Sequence, residues 1–461
     1  MEGGASSCRH HLDCILNDGV SVAKKKRTVR IAHELPRDRR IAIKKALEDH
    51  ETETRSDWDR EHEWKQIRFC RKIIKPGQLR TVEMPLLNVS LGDKWPISVT
   101  IIHGKRPGPV VTILGAIHGD ELTGTSACTN LLSPKFTGLE GSLNPNNVAG
   151  TIRIVPVVNL PGYREKSRYF PDGRDLNRNF PGKSKGSTTS RVASQLWHNL
   201  IKNSDVIIDM HAAAKGRSNM PQIRADLSHP ESNLLAKAFG IELILDSRPP
   251  RGSLRQKANA KDIASITYEG GGADLLDQQA VSVAVHGCMN VLKKLKVIPG
   301  NPHRPKFRLN AGGSKWLRAG EGGLLDMFVK PGSIVERGDV VAVISDSNSP
   351  GLLVDIVAPE DGLMICTATN PFVTAGTPVA HFLAVSKHIE LIKTQIATDG
   401  TLIVSGSLGE PIWREDDEVE EVEVEGEWSG GGVDAEWNIE AAADSDDYED
   451  VGETSPQKSA R

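Results

Sequence analysis

The chain has 461 residues, of which 38% are hydrophobic and 25% charged, and a formal net charge of −3. This is enough chain for a large core in two domains plus extensions, and no run approaches the roughly eighteen apolar residues of a membrane span, so no membrane role is expected. Six scattered cysteines without a Cys-x-x-Cys pair speak against a disulfide framework or a zinc ribbon, and the start lacks an apolar signal-peptide core, so a cytoplasmic protein is expected.

Residues 1–79 read as a charged, largely disordered arm, with a short helix expected over 41–47. Cys8, His10, His11 and Cys14 are more simply part of that polar arm than a metal cluster. Ordered structure is expected from about Arg80. Strands are expected over 86–91 and 97–102 with a turn at Gly92-Asp93, then a loop from Gly104 to Pro109. Val110 to Leu114 is an apolar strand, followed by a helix over 125–132 and a strand over 151–158. A long loop rich in Arg and Asn runs from Asn159 to about Ser190. A helix over 193–201, a strand over 205–211, a helix over 232–239 and strands over 241–245 and 265–268 follow. From Leu275 to Leu295 apolar residues recur at helical spacing, with Lys293, Lys294 and Lys296 where cations suit the helix dipole. Strands alternating with helices predict an α/β domain with a mixed sheet flanked by helices, whose functional groups gather at strand C-terminal ends. Beyond Pro305 short β runs with Gly and Pro turns predict a smaller C-terminal all-β sandwich. The expected organisation is 1–79, 80–300, 301–390 and 391–461.

The small net charge hides an asymmetry. From Leu408 onward there are 19 acidic and 3 basic residues, leaving 54 basic against 41 acidic, a balance of +13, in the rest. The tail is most simply a solvated disordered segment, although Val419, Val422 and Val424 fit a weak strand. A body this basic favours anionic ligands. Nucleic acid is not the expected partner, because no aromatic-interleaved basic motif or recognition helix accompanies the charge.

Three strand ends carry chemistry. His118 and Glu121, in His118-Gly119-Asp120-Glu121, follow the Val110–Leu114 strand; taken alone such a pair is often a surface ion pair. His211 ends the 205–211 strand, and with it the set becomes His, Glu, His, which leaves a fourth zinc position open. Asp209, two residues earlier on the same strand face, suits a hydrogen bond to the imidazole. Glu269 ends another strand before Gly270-Gly271-Gly272; beside an open metal position it can take a proton from water and return it to a leaving amine. In the long loop, Arg residues bind carboxylates in a bidentate way and Asn adds neutral hydrogen bonds. Arg168 is a candidate for polarising a carbonyl.

In this order His118-Gly119-Asp120-Glu121, the Arg168 to Gly182 loop, Asp209-Met210-His211 and Tyr268-Glu269 resemble the succinylglutamate desuccinylase/aspartoacylase family of the zinc carboxypeptidase-like superfamily. The most specific part is Asp175-Leu176-Asn177-Arg178 with Phe180-Pro181-Gly182. The resemblance covers roughly residues 80–385. It implies one zinc ion per chain on His118, Glu121 and His211, Glu269 as general base and acid, Asn177 and Arg178 as a substrate-carboxylate clamp, and Arg168 as the carbonyl-polarising arginine, with Arg164 and Arg174 close by in sequence. The Gly-rich stretch after Glu269, the arm and the acidic tail are not typical of the family. The β domain resembles a lipoyl- or biotinyl-type sandwich that borders the active-site entrance; without a Met-Lys-Met hairpin, modification is not expected. The leading reading is a zinc-dependent amidohydrolase acting on C–N bonds, which deacylates an N-acyl amino acid or a related small amide bearing a carboxylate. A metallocarboxypeptidase of short peptides and a non-catalytic binding module of the same fold are the alternatives.

Overall fold

The computed structural model describes residues 65–88, 94–133, 143–349, 351–407 and 419–424. The cysteine–histidine cluster at 8–14, the helix over 41–47, the Gly92-Asp93 turn and most of the acidic tail lie outside the described residues. Strand structure begins before Arg80: β1 (Ile67–Phe69) and β2 (Lys72–Ile74) form a hairpin. β3 (Gln78–Asn88) pairs antiparallel with β4 (Lys94–His103). β5 (Arg106–Gly115) starts inside the expected 104–109 loop, and α1 (Leu122–Leu132) and β6 (Ala149–Val155) follow.

The long loop carries a short helix, α2 (Leu160–Glu165), and a single 3₁₀ turn at Leu176–Arg178. Next come α3 (Thr188–Asn199), β7 (Val206–Ala213) and β8 (Arg217–Ala225), a strand the sequence pattern did not announce. The series closes with α4 (Pro230–Phe239), β9 (Leu243–Asp246), α5 (Leu254–Asn259), β10 (Ala264–Gly272) and α6 (Gln278–Lys294). β10 runs through the Gly-rich stretch, so Glu269 lies within the strand rather than at its end, next to a register shift.

The sheet order is β3-β4-β6-β5-β7-β10-β8. β5 is parallel to β6 and β7, and β7 to β10, while β4 runs antiparallel to β3 and β6 and β8 runs antiparallel to β10 but parallel to β9. Both faces of the central strands are covered, which is why they read as continuous apolar runs. In β7, Val206, Ile208 and Met210 enter the core beneath α4 and α6, whereas Ile207 enters the core beneath α3. The odd-numbered face changes from Ile207 to Asp209 and His211 toward the strand's C-terminal end. The mixed sheet flanked by helices is the fold class expected from the sequence.

β11 (Phe307–Ala311) pairs parallel with β9 and so extends the α/β sheet. The β region proper contains β12 (Lys315–Arg318), β13 (Gly323–Met327), β14 (Ile334–Val335), β15 (Val340–Ser345), β16 (Leu353–Val357), β17 (Gly362–Ala368), β18 (Phe372–Val373) and β19 (Pro378–Ala384). Its core includes Ile344, Met364, Val379 and Phe382. β8 forks: residues 223–225 pair with β9, and residues 217–219 pair with β17. The β region is therefore hydrogen-bonded into the same sheet as the α/β strands.

Part of the acidic tail is ordered. β20 (Glu420–Val424) pairs parallel with β11, Val422 and Val424 are buried, and Glu421 accepts from Lys237 and Arg308. The weak strand at Val422 and Val424 thus replaces the solvated reading for this stretch. Among the described residues no helix is long and apolar enough to cross a membrane.

A buried carboxyl ties the segment after the β region to the α/β sheet. Glu242 accepts hydrogen bonds from the Ser405 amide and hydroxyl. Burial pushes its pKa up to about 7 from an ordinary 4.5, against the opposing Ser405 hydrogen bonds and Arg308. A fold that favours the protonated acid has this contribution in full below pH 4.5 and loses it as the pH rises through 7, a change of about 3 kcal/mol. Glu242→Gln is neutral at every pH, so its unfolding free energy relative to wild type should rise by about that amount between pH 4.5 and pH 8. Urea denaturation at the two pH values reads the difference, and an equal gap at both would refute this assignment.

Candidate active site

The site begins where β5 leaves the sheet. Ala116 adopts a left-handed conformation (φ +48°), an unusual state for a residue with a Cβ, and turns the chain sharply. Val158 and Asn159 donate their amides to the carbonyls of Gly115 and Ala116 and hold the turn. α1 then packs directly on β5 and β7. A Cβ on Gly115 would stand 2.6 Å from the Gly124 backbone, and one on Gly124 would stand 2.6 Å from the Met210 carbonyl oxygen. This close approach brings Glu121, at the N-cap of α1, over the end of β7. Its side chain makes no capping bond and faces His118 and His211 instead.

His118, Glu121 and His211 are buried together. His118 Nε2 is 3.1 Å from Asp175 Oδ1, and His211 Nε2 is 2.9 Å from Asp209 Oδ2. Ionised carboxylates only accept, so each Nε2 carries a proton, and each Nδ1 is the nitrogen that turns to Glu121 and can offer a lone pair to a cation there. The two Nδ1 atoms are 3.1 Å apart. Glu121 Oε1 is 2.7 Å from His118 Nδ1, and its Oε2 is 2.8 Å from His211 Nδ1. Three lone-pair donors thus converge, with ligand atoms within 4.8 Å of one another. A cation between them relieves their repulsion, and two imidazole nitrogens with one carboxylate are a donor set that suits zinc.

The electrostatics follow the same logic. Burial alone would raise the Glu121 carboxyl, but His118 and His211 hold it well below the usual carboxylate range. Burial opposes charge on His211, yet Asp209 and Glu121 push its pKa well above the ordinary value, so with no cation between the ligands a proton is favoured on Nδ1, and a bound cation takes that proton's place. Burial would likewise raise Asp175, and His118 and Arg168 reverse this. Arg168 is buried and donates to Glu121 Oε1 at 2.7 Å and to Asp175 Oδ2 at 3.2 Å. Arg164 is exposed and Arg174 half-buried, and neither lines the cleft.

Glu269 is the register partner of His211 across the parallel β7–β10 pair, which sets the two side chains on one face of the sheet. Asn219 donates to its Oε2 at 3.1 Å, and Arg224 Nε lies 3.6 Å from its Oε1. Its pKa is raised, first by burial and also by the Glu121 carboxylate, against Arg224 and His211. Asn177 and Arg178 line the same cleft. Asn177 Oδ1 accepts from the Leu254 amide, which fixes the 3₁₀ turn against α5.

All seven residues singled out from the sequence, His118, Glu121, Arg168, Asn177, Arg178, His211 and Glu269, therefore line one cleft. Sequence reasoning missed the role of Asp175 as the anchor of His118, though it sits in the Asp-Leu-Asn-Arg motif. It also missed Asn219, Arg224, Arg255, Trp316 and His381, which line the same cleft. Trp316 and His381 come from the β region, and no local motif marks them.

Residues 107–295 match the family model described as the succinylglutamate desuccinylase/aspartoacylase catalytic domain. Over 297 residues, 62% of this chain and 84% of the relative, the protein is 27% identical to N-alpha-acetyl-L-2,4-diaminobutyric acid deacetylase of Halomonas elongata. The crystal structure of a succinylglutamate desuccinylase/aspartoacylase from Rhodobacter sphaeroides superposes with a TM-score of 0.57 at 25% identity, covering 66% of this chain and 94% of that one. A product-bound ectoine utilization protein from Ruegeria pomeroyi shares the fold, with a TM-score of 0.58 at 24% identity over 66% of this chain and 94% of its own.

The carboxylate behind each imidazole should matter for metal retention as much as packing does. Asp209→Ala is expected to weaken zinc binding by about 10–100-fold. Competition with a chromogenic chelator measures this, and an unchanged affinity would remove Asp209 from the site.

Proposed function

Because the chain belongs to the succinylglutamate desuccinylase/aspartoacylase family, we propose that it is a zinc-dependent amidohydrolase that deacylates an N-acyl amino acid or a related small amide bearing a carboxylate. The observation that carries this reading is the convergence of the His118, Glu121 and His211 lone pairs, with both imidazoles held by carboxylates. The name of the Halomonas elongata relative, a deacetylase of an N-acetylated amino acid, supports the same reaction class. Zinc held there supplies Lewis acidity for attack of water on the amide carbonyl.

This chain's residues do the rest. Glu269, whose pKa is raised by burial, accepts a proton from the attacking water and gives it to the departing amine nitrogen. Arg168 stands at Glu121 and stabilises the carbonyl oxygen as it gains negative charge. Asn177 and Arg178 hold the carboxylate of the amine half, so that the scissile bond lies near Glu269. The basic lining of the cleft suits an anionic small molecule.

The test is a panel of N-acyl amino acids offered to zinc-loaded protein, with metal content measured alongside. Glu269→Gln should lower kcat by about 10²–10⁴-fold while keeping wild-type zinc content. A purified protein without stoichiometric zinc, or a Glu269→Gln variant as active as wild type, would end this reading.

A further inference from the structure

Exposed apolar residues are concentrated on one face of the β region. β16, β15, β13 and β18 form a four-stranded sheet in that order, and its inner face, with Leu325, Ile344, Ile356 and Val373, packs into the core of the region. Alternation along each strand turns the neighbours of these residues outward. Strand register aligns those neighbours in rows. Phe372, Leu324, Ser345 and Leu353 form one, Asp326, Val343 and Asp355 the next, and Val340 and Val357 a third. Phe372 and Leu353 are 63% exposed and Leu324 is 51% exposed. With Phe328 and Leu352 at its margins, this sheet carries seven of the thirteen large hydrophobic residues that stand exposed among the described residues. A face this rich in exposed apolar groups marks an interaction surface.

The charge on this face specifies what covers it. Asp326 and Asp355 are exposed in its central row and have no ion-pair partner among the described residues. Residues 319–377 hold eight acidic and two basic residues. Anionic lipid and nucleic acid are repelled by such a surface, and a cationic protein surface is attracted. The chain carries one at the other end of its large sheet. Residues 65–80 hold six basic residues and no acidic one. The β1–β2 hairpin folds Phe69 and Ile74 into the core, so the register pair Arg68 and Ile73 faces outward, with Arg71 and Lys72 beside the turn. Arg68, Arg71, Lys72, Ile73 and Lys75 are all exposed. An apolar residue ringed by cations complements an apolar sheet with carboxylates at its centre.

The two surfaces cannot meet within one chain. β3, on which the hairpin packs, and β12, in the β region, are the end strands of the order β3-β4-β6-β5-β7-β10-β8-β17-β19-β12. Nine spacings of ~4.8 Å put them on the order of 40 Å apart. The contact therefore has to form between copies. We infer that this protein associates with itself, the cationic β1–β2 hairpin of one copy covering the outer apolar sheet of a second copy's β region. Two copies lying antiparallel make this contact twice and leave neither surface bare, which closes the assembly as a pair. The inference is independent of the reaction proposed above.

Sedimentation equilibrium on the full chain tests it. Wild type should approach twice the chain mass as concentration rises, and added salt should weaken the association. Two double variants each reverse one surface, Arg68→Glu with Lys72→Glu and Asp326→Lys with Asp355→Lys. Either one alone sets like charges against each other and should associate about tenfold or more weakly. Mixed in equal amounts the two should recover association, because each reversed surface then meets one of opposite charge. Misfolding gives no such recovery, and circular dichroism of each variant checks for it. Wild type that keeps the single-chain mass at every concentration would overturn the inference, as would reversal variants that associate like wild type. A mixture of correctly folded variants that recovers nothing would overturn it too. Single copies that sediment with anionic phospholipid vesicles through Arg68 and Lys72 would assign the hairpin to lipid and likewise end it.

Discussion

Two carboxylates, Asp175 and Asp209, determine which nitrogen of each imidazole faces the cleft. Each accepts from an Nε2 and so leaves an Nδ1 lone pair pointing at Glu121 and at the other histidine. Without these anchors either ring could flip or change tautomer, and the converging donor set would disperse. Asp175 reaches His118 from the Arg-rich loop and Asp209 reaches His211 from within β7. The loop and the sheet must therefore both be in place before the donor set exists. Arg168 bridges Glu121 to Asp175, so one guanidinium is shared between the carboxylate of the converging donor set and an anchoring one.

Around this centre the cleft is a surface of excess positive charge with its acidic groups already engaged. Glu121 accepts from Arg168 and from the Ala212 amide, and Glu269 accepts from Asn219. Arg255 lies buried beside Arg224 and donates to Ser247, and burial and its neighbour together pull its pKa down to about 10. Guanidiniums placed this close in a buried wall repel one another, and an incoming anion relieves that repulsion as it binds.

The elements most legible in the sequence were those buried on both faces. The Val110–Leu114 and Val206–Ile208 runs announced β5 and β7, and the apolar period from Leu275 announced α6. The site residues stood out because they sit at the ends of such runs or in one dense motif. β8 was opaque for a physical reason. Arg217, Asn219, Gln222 and Arg224 are polar residues of a buried strand, and Pro221 breaks the β-like texture, so no alternation survives. β20 was nearly hidden by its glutamates, whose partners Lys237, Arg308 and Asn310 are distant in sequence. Trp316 and His381 reach the cleft only through strand pairing across the fork of β8, and spacing along the chain carries no trace of that.

The fork also has a consequence for how the chain is made. The catalytic strands are complete once residue 272 has left the ribosome, yet the Arg217–Asn219 edge of β8 waits for β17, roughly ninety residues later. At about 5–20 residues per second that edge stays open for seconds, bordering the future cleft. An open edge invites pairing with another nascent chain, and charged side chains along it discourage this. Arg217 and its polar neighbours are thus placed to guard a transient edge during synthesis before they line a finished wall.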